Sequence, residues 1–135
     1  MTEKNINTIP YVEFADNANE RTPCVLVLDC SGSMRGEPIK QLNAGLNALE
    51  KELKDDIDAS SRVQLLIIKA FGKDEVKVTA DWTDAMNFTA PTMEAGGLTP
   101  LGKAMELALQ KIEEQKCLYD NCGITSKRPW IFLIS

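Results

Sequence analysis

Asp29, Ser31 and Ser33 set one carboxylate and two hydroxyls at alternate positions directly after an apolar run, Cys24-Val25-Leu26-Val27-Leu28. These are hard oxygen donors, the set that a hard divalent cation takes. Mg²⁺ keeps near-octahedral geometry, accepts few carboxylates and retains waters, so such a site leaves a position that an outside carboxylate can fill. The same residues also suit an Asx-type turn leading into a helix, because Asp and Ser side chains bond their own backbone routinely. Spacing alone does not choose between the two.

Other chemistries are narrowed by what the chain lacks. It has no histidine, which removes Ser-His-Asp and Cys-His nucleophile pairs and histidine-ligated metals. Ser31 is not in a nucleophile elbow either, since Asp29 stands where the first glycine of G-x-S-x-G belongs. The expectation is a protein that is not an enzyme. Cys24 and Cys30 flank the apolar run and read as buried thiols. Cys117 and Cys122 could bridge a loop or hold half a metal site, but no second tight pair completes a zinc set, and reduced thiols are the preferred reading.

The elements that must carry these residues follow from periodicity. Cys24 to Leu28 is apolar on every residue, as a strand covered on both faces is. Pro38 suits the first turn of a helix. Ile39, Leu42, Leu46, Leu49, Leu53 and Ile57 then recur at spacings of three and four, with Lys40, Glu50, Lys51 and Lys54 off that stripe. This helix runs from about Glu37 to Asp56, and the polar stretch 55–61 ends it. Val63 to Phe71 is a second strand, and strand–helix–strand implies a parallel pair. After a turn at 72–74, Val76 to Ala80 alternates like a hairpin partner at a sheet edge. Residues 81–97 read as irregular. Thr99-Pro100 reads as a helix cap followed by proline at the first helical position. Leu101, Met105, Ala108, Leu109 and Ile112 form the buried face of a helix ending near Lys116. A polar loop, 117–128, leads to a third apolar strand, Trp130 to Ile134. Residues 1–23 form an N-terminal arm or edge strand, with a short alternating patch at 11–14.

The 135 residues carry 44% hydrophobic and 26% charged side chains and a net charge of −5. That is ordinary for one globular domain and offers no basic face for nucleic acid. No apolar run nears the roughly 20 residues needed to cross a bilayer, and the first residues lack the apolar core of a secretory signal. The reading is a cytoplasmic protein with neither a nucleic acid nor a membrane partner. An apolar strand at the chain terminus leaves a sheet edge open, so the expectation is a truncated piece of a larger domain, with self-association through that edge.

The stretch Asp29-Cys30-Ser31-Gly32-Ser33-Met34 after an apolar strand resembles the D-x-S-x-S motif of von Willebrand factor A domains. Arg35-Gly36-Glu37-Pro38-Ile39 and Gly96-Gly97-Leu98-Thr99-Pro100-Leu101-Gly102 resemble the bacterial tellurium-resistance TerY-type branch, and the likeness covers roughly residues 24–135. It implies an α/β fold: an open, doubly wound, mostly parallel sheet with one antiparallel edge strand, its C-terminal strands missing here. It also implies a metal-ion-dependent adhesion site, with Asp29, Ser31, Ser33 and Thr99 as metal ligands and Mg²⁺, Mn²⁺ or Ca²⁺ as the ion. An acidic side chain of a protein partner would complete the coordination. The role implied is non-enzymatic, in a tellurium-resistance or stress-response system. The family's further aspartate falls beyond Ser135, so metal binding by residues 1–135 is expected to be weak or absent.

A second motif competes. Residues 97–103, Gly-Leu-Thr-Pro-Leu-Gly-Lys, match the start of a phosphate-binding loop. Ala104 replaces the hydroxyl that would hold Mg²⁺, no apolar strand precedes Gly97, and Pro100 removes a backbone donor. A nucleotide-binding protein using Gly97 to Lys103 and a metal-free scaffold are therefore the alternatives. Trp82 and Phe88 read as caps on the sheet rather than a partner surface.

Overall fold

The apolar run around Leu26 is the middle of the sheet. The computed structural model describes residues 19–71, 75–96 and 100–134. Strands β1 (Thr22–Asp29), β2 (Val63–Phe71), β3 (Glu75–Asp84) and β4 (Trp130–Ile134) lie in the order β3-β2-β1-β4. β1 pairs in parallel with both β2 and β4, while β3 runs antiparallel to β2. The chain is therefore an α/β protein with an open mixed sheet. The arm patch at 11–14, the turn at 72–74 and Thr99 lie outside the described residues.

Alternation along the strands divides the core in two. Cys24, Leu26, Leu28, Leu65 and Ile67 pack under helix α1 (Glu37–Asp55), together with Leu42 and Leu46 of that helix. Val25, Val27, Leu66, Ile68 and Ala70 pack on the other face against Ala104, Ala108 and Ile112 of helix α3 (Leu101–Asn121). Burial on both faces is why these strands carry no polar alternation.

Three boundaries differ from the sequence reading. The stretch 55–61 does not simply end α1: after Asp55 a short helix α2 (Ile57–Arg62) begins, and the Asp56 carboxylate accepts the Ala59 amide at 3.1 Å as its cap. Ile57 is consequently 84% exposed instead of continuing the apolar stripe. β3 continues through Asp84, so part of the predicted irregular stretch is strand. α3 begins at Leu101 with Pro100 as its cap residue, and it extends five residues past Lys116. It ends in a Schellman arrangement: Gly123 takes φ +70°, and the Ile124 amide donates to the Tyr119 carbonyl at 2.9 Å. Of the expected buried face of α3, Leu101, Met105, Ala108 and Ile112 pack on the sheet, but Leu109 is 57% exposed, and Ala104 is buried against the sheet instead.

Beneath the sheet, at the amino end of β1, a polar network is buried. Arg21 pairs with Asp84, and Gln64 donates to the same carboxylate at 3.0 Å. The Gln64 side-chain oxygen accepts from Gln115 at 2.7 Å and from the Tyr119 hydroxyl at 2.6 Å. On the opposite edge, β4 presents Trp130, Phe132, Leu133 and Ile134 at 38–56% exposure, with the Trp130 and Phe132 rings stacked 5.9 Å apart. Among the described residues no helix is long and apolar enough to cross a membrane.

Candidate functional site

Chain order moves outward from β1 to β2 and β3, then returns to the other side of β1 for β4. In open α/β sheets the crevice at the carboxyl ends of the strands, where the order reverses, is the usual ligand position. β1 ends there on Asp29, and β4 runs beside it with Ile134 opposite Leu28.

The first loop folds tightly around that carboxylate. The Ser31 amide donates to Asp29 Oδ1 at 2.9 Å, and the Ser31 and Ser33 hydroxyls lie 3.0 Å apart. Residues 32–34 then form one 3₁₀ turn, closed by the Met34 amide on the Ser31 carbonyl at 2.9 Å. Asp29 and Ser31 are buried while Ser33 is exposed, so the cluster opens to solvent on its Ser33 side. Gly36, at φ +82°, turns the chain out of this loop and into α1.

A second loop reaches the first. The Gly96 amide donates to the Cys30 carbonyl at 2.7 Å, between the two oxygen donors Asp29 and Ser31. The Arg35 guanidinium lies beside this loop: a Cβ at Gly96 would sit 3.9 Å from its Nη2. Asp29, Ser31 and Ser33 are thus brought together, and Gly96 carries the chain alongside them. Thr99, the fourth predicted ligand, lies outside the described residues.

The donor set is one carboxylate and two hydroxyls, all hard oxygens, which suits a hard cation that keeps part of its water. Among the described residues no group of three or more His, Cys, Asp or Glu side chains could hold a metal, so an ion here would rest chiefly on hydroxyls and water. Cys30, between the donors, is a buried thiol rather than a ligand. Burial raises its pKa, with the Lys69 charge opposing and the Asp29 charge adding to the rise. Lys103 of the competing phosphate motif is exposed on the first turn of α3.

Sequence reasoning missed the residues that hold the second loop. The side-chain amide of Asn43 exchanges two hydrogen bonds with the backbone of Met93, and Glu50 accepts the Ala90 amide at 2.7 Å. Their only sequence signal is a spacing of seven on one side of an amphipathic helix. No family model and no curated protein matches this chain.

Proposed function

We propose that this chain is a non-enzymatic, metal-dependent protein-interaction module of the von Willebrand factor A type. Asp29, Ser31 and Ser33 hold a divalent cation, Mg²⁺ first and Mn²⁺ or Ca²⁺ as substitutes, with Thr99 as the ligand from the second loop. When bound, the ion supplies an electrophilic centre that an acidic side chain of a protein partner completes. The exposed Arg35 beside the second loop adds positive charge for the same carboxylate. By resemblance to the TerY-type branch, the role is in a bacterial, cytoplasmic tellurium-resistance or stress-response system.

The observation that supports this reading is the Ser31–Ser33 hydroxyl pair at 3.0 Å beside a carboxylate at the carboxyl end of the central strand. One carboxylate neutralises a dication only in part, so affinity depends on the hydroxyls, retained water and the partner.

The test is thermal denaturation of the full chain with EDTA or with Mg²⁺, Mn²⁺ or Ca²⁺, repeated with Asp29→Ala. A divalent-dependent rise in Tm that Asp29→Ala abolishes supports the module. No rise with any ion, even at about 10 mM where a one-carboxylate site would fill, makes residues 1–135 a metal-free scaffold. ATP turnover lost with Lys103→Ala would instead favour the phosphate-loop reading. Self-association through the β4 edge belongs to the same proposal, since its apolar side chains are exposed, and sedimentation of the purified chain tests it.

A further inference from the structure

We infer that Asn43 is the positioning residue that sets the reach of the second loop toward Asp29, Ser31 and Ser33. The inference rests on reading those three residues as an ion site. Asn43 Nδ2 donates to the Met93 carbonyl at 2.9 Å, and the Met93 amide donates to Asn43 Oδ1 at 2.7 Å. A side-chain amide therefore reads both polar groups of one backbone residue, as a neighbouring strand would.

Glu50 makes the third bond, from the Ala90 amide at 2.7 Å. The spacing of these contacts is matched. Seven helical residues, from Asn43 to Glu50, rise about 10.5 Å. Three residues, from Ala90 to Met93, span about 10 Å when extended. The loop thus runs antiparallel to α1 in register with it, and both ends bond without the chain stretching.

From Met93 three residues lead to Gly96, whose amide meets the Cys30 carbonyl at 2.7 Å. The Met93 side chain is buried in the same core as Cys30 and Met34. The first loop leaves directly into α1, and the second is fastened to that same helix two turns along. One rigid body therefore references both loops, and Asn43 is the link nearest the site.

The test compares Asn43→Ala, Asn43→Asp and, as a control, the exposed Asn47→Ala in the full chain. Two quantities are measured: amide hydrogen exchange at Gly96 without metal, and the Mg²⁺ dissociation constant by calorimetry. Asn43→Ala is expected to speed Gly96 exchange at least tenfold and to weaken Mg²⁺ binding at least tenfold. Asn43→Asp, which keeps the acceptor for the Met93 amide, should recover part of both, and Asn47→Ala should change neither. Gly96 exchange within twofold of the parent in folded Asn43→Ala overturns the inference, as does exchange in Asn43→Asp no slower than in Asn43→Ala. So does an unchanged Mg²⁺ constant when exchange has risen. If the parent binds no Mg²⁺ yet Gly96 exchange rises, the ion reading fails, while the positioning of Gly96 against Cys30 stands.

Discussion

Arg21 and Asp84, 63 residues apart in the chain, meet by two hydrogen bonds of 2.8 and 3.1 Å with neither side chain appreciably exposed. The pair ties the entry to β1 to the far end of β3, and Gln64 joins it to α3 through Gln115 and Tyr119. A buried charge is tolerated only when its partner and hydrogen bonds are in place. Removing one member leaves the other charged in low dielectric, which typically costs about 3–5 kcal/mol. Asp84→Ala should therefore lower the unfolding free energy by about that amount, read from urea denaturation. The double variant Arg21→Met with Asp84→Leu should recover only part of the loss: an apolar replacement of both partners is often near neutral, but the buried Gln64 amide loses the acceptor it bonds in Asp84. A single variant within about 1 kcal/mol of the parent would mean that water reaches the pair.

The four thiols should separate by burial. Burial pushes Cys24 up to about 11 and raises Cys30 and Cys122 above the ordinary thiol value. Cys117 is exposed on α3. The thiolate is the reactive form, so burial and a raised pKa act together against modification. With a small disulfide reagent at pH 8, Cys117 should label first and Cys122 next. Cys24 and Cys30 should label only after unfolding. Peptide mapping by mass spectrometry reads the order, and modification of Cys24 at the rate of Cys117 would show that the central strand opens locally.

Glu50 should make the second loop's attachment sensitive to acid. The Ala90 amide, and then Lys54 beside it, hold its carboxyl below the ordinary carboxylate range. A carboxyl depressed in the folded state adds stability above its unfolded pKa, near 4.3 for Glu, and loses it as pH falls through the folded value. The parent should therefore exceed Glu50→Gln in urea midpoint at pH 7, and the gap should narrow steadily below about pH 4.5. A gap of constant size from pH 7 to pH 3 would show that the carboxylate charge plays no part.

The central strands were legible because burial on both faces leaves a plain signature: β1 and β2 are apolar at nearly every position, whereas β4 is equally apolar but stands exposed at the sheet edge. The first loop was legible because its donors are adjacent in sequence. What sequence could not show is contact between distant polar groups. Glu50 looks like a solvated residue off the apolar stripe, yet its carboxylate takes a backbone amide 40 residues away. Arg21 sits in a polar arm by composition, yet it is fully buried, because its partner Asp84 belongs to what reads as an irregular loop. Leu109 misled in the other sense: α3 faces the sheet with alanines, and a leucine at helical spacing was left outside. The stop of α3 was readable from Gly123, a C′ glycine followed by Ile124, and the polar character of residues 117–128 hid it.

Two glycines of one helix region should answer alanine in opposite directions. Gly36 links the first loop to α1 at φ +82° and ψ −128°, a conformation that side chains with a Cβ rarely adopt, although nothing lies within 4 Å of the added atom. Gly36→Ala should destabilise by about 1–3 kcal/mol through backbone strain alone. Gly45, inside α1, is also in open space, but its backbone is helical and exposed. Gly45→Ala should stabilise by about 0.5–1 kcal/mol, because alanine surrenders less backbone freedom on folding. If Gly36→Ala relaxes by moving the first loop, the Ser31–Ser33 pair moves with it, and divalent stabilisation should fall along with Tm. Gly45→Ala should raise Tm and leave the ion-dependent increment as it was. Equal and small effects from both substitutions would mean that residues 34–37 adjust freely, and that the start of α1 does not hold the site loop in place.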